Sequence, residues 1–104
     1  DVQRGGCAAL WNLSLEDDES KALIGAAGAI ELVLAAMRQH ASSEGLQAQG
    51  CGALSSLSVN QDNDHKIRMS GGVTAIVRAM RRHRGSADVQ QQGCSALGNL
   101  AFND

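Results

Sequence analysis

Three stretches of the chain write one phrase: GGCAALWNLS over Gly5–Ser14, QGCGALSSLS over Gln49–Ser58 and QGCSALGNLA over Gln92–Ala101. Cys7, Cys51 and Cys94 mark it, 44 and then 43 residues apart. With its lead-in, each phrase places apolar or small residues at one helical phase. These are Val2, Gly6, Ala9, Leu10 and Leu13, then Leu46, Gly50, Ala53, Leu54 and Leu57, then Val89, Gly93, Ala96, Leu97 and Leu100. That spacing is the buried stripe of an amphipathic helix. A glycine inside a helix costs about 1 kcal/mol relative to alanine. Its return at one phase predicts a neighbour passing too close for a side chain.

The segments between the phrases repeat as well. GAIELVLAAMRQH starts at Gly28 and GGVTAIVRAMRRH at Gly71, 43 residues on. Ile30, Val33, Leu34 and Met37 in one copy, and Val73, Ile76, Val77 and Met80 in the other, keep the i, i+3, i+4, i+7 pattern. Glycine just before each segment ends a shorter helix, expected at about Glu19–Ala26 and His65–Ser70, and lets the chain turn. Acidic and Asn-rich residues ahead of the short helices supply N-caps, as do the serines in ASSEG and RGSAD ahead of the long ones. The one extra residue of the first interval falls in the polar run LEDDES. Each period is therefore read as three helices, with the boundaries 1–15 (an orphan third helix), 16–58 (first full repeat) and 59–104 (second full repeat). A period of ~40–47 residues belongs to helical repeat arrays.

Bulk composition agrees. Apolar residues make up 43% of the 104 and aromatics 2%, and proline is absent. A core of aliphatic side chains and alanine favours helix over strand. The net charge of −2 gives no general argument for nucleic acid or an anionic membrane. No apolar run reaches the ~20 residues of a membrane span. Three cysteines without short pairings suggest neither a zinc site nor a disulfide scaffold, and a reducing, intracellular setting (cytoplasmic or nuclear) is expected. No nucleotide loop, nucleophile elbow or metal-ligand spacing is found, so neither enzyme chemistry nor a cofactor is expected.

The glycine pair in KIRMSGGVTAIVRAM and third helices ending ALWNLS or ALGNLA resemble the armadillo repeat family along the whole chain. The resemblance implies an all-α, right-handed solenoid, a superhelix of three-helix repeats. One departure is the missing proline at the start of the second helix, near Glu31 and Thr74. In that family the third helices line a concave groove, where extended peptides are held by an Asn near each helix end. Asn12 and Asn99 match this Asn, and Ser56 replaces it in the middle copy. An amide pairs with a peptide N–H and C=O at once. Four residues earlier, Ala8, Gly52 and Ser95 stand where nuclear-import members carry Trp, so the likeness does not extend to import receptors.

Each of these residues has a plainer alternative. Asn12 and Asn99 are also suited to capping or bridging neighbouring loops. Trp11, whose equivalents are Ser55 and Gly98, reads as a partner anchor, as partial core, or as a self-association contact. The basic run Arg78, Arg81, Arg82, His83 and Arg84 reads as a solvated helix face, with an acid- or phosphate-binding patch the alternative. The expected function is a non-catalytic protein–protein interaction module taking an extended peptide or partner along the groove. The rival is a self-assembly unit, a dimer or a head-to-tail stack joined through uncapped ends.

Overall fold

The computed structural model describes residues 17–102. The expectations for 1–15, among them those for Ala8, Trp11 and Asn12, lie outside the described residues. Six helices follow in order: α1 (Asp18–Ala26), α2 (Ala29–Gln39), α3 (Glu44–Leu57), α4 (Gln61–Met69), α5 (Gly72–Arg82) and α6 (Ala87–Phe102). The described chain is all-helical.

Start signals recur with the period. Asp17 Oδ1 accepts the Ser20 N–H at 2.9 Å ahead of α1, and Asn60 Oδ1 accepts the Asn63 N–H at 3.0 Å ahead of α4. Ser43 Oγ caps α3 through the Leu46 N–H, and Ser86 Oγ caps α6 through the Val89 N–H, both at 3.2 Å. Helices α2 and α5 use no side-chain cap. They follow Gly28 at φ 99° and Gly71 at φ 86°, a left-handed turn that glycine adopts without strain. That turn bends α1 against α2 by 65°. The short helix of the second copy starts at Gln61, earlier than the expected His65, because the Asn60 cap draws the polar run QDND into its first turn.

The core is aliphatic and continuous across both copies. Ile30, Val33, Leu34 and Met37 of α2 are buried, as are Leu46, Ala53, Leu54 and Leu57 of α3. The α5 stripe is covered less fully. Ile76 and Ala79 are buried and Val77 and Met80 half-buried, while Val73 is 40% exposed where its counterpart Ile30 is 0%. The glycine expectation is met in a particular form. A Cβ on Gly50 would stand 2.8 Å from Cγ and Sδ of Met37, and one on Gly93 2.6 Å from the same atoms of Met80. The close neighbour is a methionine side chain from the second helix of the same copy.

Each helix of the first copy lies against its counterpart in the second: α1 on α4, α2 on α5 and, most extensively, α3 on α6. Polar ties join residues about one period apart. Asn63 Nδ2 donates to Lys21 O at 2.9 Å, Lys66 Nζ to Gly25 O at 3.2 Å, and Asn60 Nδ2 to Asp18 Oδ1 at 3.2 Å. His83 Nε2 lies 2.8 Å from Ala41 O. The Lys66 ammonium also meets Glu31 Oε2 at 3.1 Å. Within each copy a glutamine clamps the end of the second helix. Gln47 Nε2 donates to Met37 O and His40 O, both at 3.0 Å, and Gln90 Nε2 to Met80 O at 2.9 Å and His83 O at 3.0 Å.

Candidate partner-binding face

The α3–α6 pair carries the described residues of the expected groove. Asn99 is half-buried near the end of α6, and its Nδ2 donates to Ser55 O at 2.9 Å and to Ser55 Oγ at 3.3 Å. Ser55 Oγ also meets Ser95 Oγ at 2.8 Å. The donor half of the Asn99 amide therefore ties α6 to α3. A peptide carbonyl approaching Nδ2 would compete with Ser55. Neither Ser56, which is half-buried, nor Asn99 lacks other partners. Ser95 is exposed and Gly52 is buried. Ser55, Ser95 and Asn99 thus form a polar seam where the two long helices meet.

The two described cysteines differ despite equivalent positions. Cys51 is fully buried, and burial pushes its thiol pKa up to about 12. Cys94 is exposed, on the side of α6 that corresponds to the covered side of α3. Equivalence in sequence fixes the helix face; the neighbour fixes whether that face is wet.

A second concavity lies between α2 and α5 and went unanticipated. A cleft of about 1020 Å³ is floored by Met37, Ala75 and Ala79 and edged by Arg38, Arg78, Arg81 and Arg82. Of the basic run, Arg84 stays outside it. The sequence signal was the pairing of Arg38 with Arg81 one period apart; that these come together with Arg78 around one opening depends on how α2 and α5 pack. Among the described residues no group of three or more His, Cys, Asp or Glu side chains is placed to hold a metal ion. No single described helix is long and apolar enough to cross a membrane.

Comparison with known proteins gives one local likeness. The chain is similar to Protein aardvark of Dictyostelium discoideum, 44% identical over 66 residues. That match covers 61% of this chain, and the chain spans 9% of the length of that protein. No protein-family profile and no solved structure matches the chain.

Proposed function

We propose that the chain is an armadillo-type α-solenoid segment that acts as a non-catalytic interaction module, holding an extended peptide along the row formed by α3 and α6. The supporting observation is their side-by-side, in-phase packing, which brings Ser55, Ser95 and Asn99 into one polar seam, with Ser56 one residue on along α3. Such a seam offers main-chain donors and acceptors to an extended chain without reading its side chains. The test is peptide-display selection on the intact chain, followed by titration of a selected peptide. Asn99→Ala should weaken binding, whereas Arg84→Gln, outside the seam, should leave it nearly unchanged. Equal affinity for Asn99→Ala and the parent chain, with melting curves alike, would refute the groove.

A second reading has its own observation. The α5–α6 face corresponds to the α2–α3 face that the second copy covers, yet it leaves Val73 and Cys94 exposed and Val77 and Leu97 half-buried. Head-to-tail association of chains would cover it, in a heterologous contact able to propagate. Sedimentation against concentration tests this: association should be lost in Val73→Lys. A monomer at every concentration sinks the reading.

A further inference from the structure

We infer that the cleft between α2 and α5 is a binding site for a compact ligand carrying clustered phosphates. Arg38, Arg78, Arg81 and Arg82 surround it, four of the nine Lys and Arg residues in a chain whose net charge is −2. All four are exposed, and among the described residues none has a carboxylate within ion-pairing distance. Of the other described cations, Lys66 pairs with Glu31 and Arg68 with Asp64, while Lys21 and Arg84 stand apart from one another and outside the cleft. No Asp or Glu lines the cleft.

Helix-end electrostatics explain only part of this. Cations are favoured in a last helical turn, which accounts for Arg38 in α2 and for Arg81 and Arg82 in α5. Arg78 lies before the last turn of α5 and gains little from that field. The same helix ends should repel an anion through their unpaired carbonyls. Here part of that repulsion is removed, because several carbonyls at these helix ends and in the loop beyond already accept bonds. Gln47 Nε2 covers Met37 O and His40 O, Gln90 Nε2 covers Met80 O and His83 O, and the His83 ring sits against Ala41 O. What faces the opening is guanidinium, with Ser42, Ser70 and Thr74 hydroxyls beside it. Planar guanidinium forks suit phosphate oxygens in two-point contacts. The volume is that of a small-molecule pocket, and Met37, Ala75 and Ala79 give it an apolar floor. Clustered phosphates occur on soluble molecules and on lipid headgroups, and the cleft chemistry is the same for both.

The test is calorimetric titration of the whole chain with inorganic tripolyphosphate, with amide shifts followed by NMR. The expected result is saturable binding that weakens with salt, with shifts confined to α2, α5 and their loops. Arg78→Gln should weaken it about tenfold or more. Arg84→Gln, an identical loss of charge outside the cleft, should change it little. Vesicles of phosphatidylcholine containing a phosphatidylinositol bisphosphate form the second arm. Vesicle binding displaced by tripolyphosphate supports the site and assigns it to a headgroup; tripolyphosphate binding without vesicle binding supports it and assigns it to a soluble ligand. Absence of saturable binding in both arms overturns the inference, as does an equal loss in Arg78→Gln and Arg84→Gln. Should Arg78→Gln fail to fold, the NMR shift map of the parent chain decides alone: shifts spread over all the basic residues overturn the site.

Discussion

Gly50→Ala and Gly98→Ala make the same chemical change in two helical settings, and the structure separates their outcomes. Replacing a helical glycine by alanine gains about 1 kcal/mol of propensity in each case, somewhat less near a helix end. At Gly98 nothing lies within 4 Å of the added Cβ, so that gain stands alone. At Gly50 the Cβ would sit 2.8 Å from Cγ and Sδ of Met37. Met37 is 3% exposed, so its chain has no solvent to swing into. Overpacking of this kind costs about 1–3 kcal/mol. The propensity term cancels in the comparison, leaving Gly50→Ala about 1–3 kcal/mol less stable than Gly98→Ala. For a domain of this size each kcal/mol moves the melting temperature by about 4–8 °C. Gly93→Ala should fall between them, because Met80 is only half-buried and its thioether has room to turn. Urea denaturation read by circular dichroism measures all three. Adding Met37→Ala to Gly50→Ala should cost less than the sum of the single changes, since the new methyl then occupies vacated space. Gly50→Ala as stable as Gly98→Ala, or strict additivity with Met37→Ala, would show that the recurring glycine does not exist to admit the methionine.

Three further outcomes follow from the same geometry. Gln47→Met strips the donor from Met37 O and His40 O in a buried setting and should cost about 1–3 kcal/mol in a denaturant melt, with Gln90→Met milder because water reaches that half-buried site. A thiol reagent should label native Cys94 at once and Cys51 only on unfolding, and mass mapping that finds Cys51 modified in the folded chain contradicts its burial and raised pKa. The Ser20 backbone N–H, then the Ser20 hydroxyl, hold the Asp17 carboxyl below its ordinary value, so its capping contribution is complete above the unfolded carboxylate pKa and is lost as pH falls through the lower folded one. Asp17→Asn keeps the cap without the charge, and its acid melt should lack that share of the pH dependence.

Much of this was legible in the letters. The stripes through Ile30 to Met37 and Leu46 to Leu57 depend on helical phase alone, and phase is written in spacing. Val73 was not legible, because its exposure turns on whether another helix pair lies beyond it, and no local pattern encodes that. The same cause separates Cys94 from Cys51. Gln47 and Gln90 were overlooked because glutamine ordinarily faces water; their 43-residue recurrence was the available signal. In the expected groove, Asn99 donates to Ser55 within α3, a helix-to-helix tie that neither the groove reading nor the loop-capping alternative specified, because the partner lies 44 residues away. The arginine cleft needed coordinates: Arg38 and Arg78 are 40 residues apart, and only the packing of α2 on α5 makes them neighbours.

The ties from Asn63 to Lys21 O and from His83 to Ala41 O end on main-chain oxygens. A carbonyl is present whatever side chain hangs beside it. Substitution at residues 21 and 41 can therefore run freely without loosening the joint, while residues 63 and 83 are held to a narrow choice. Mutational tolerance at these two ties should be lopsided, permissive at residues 21 and 41 and strict at 63 and 83.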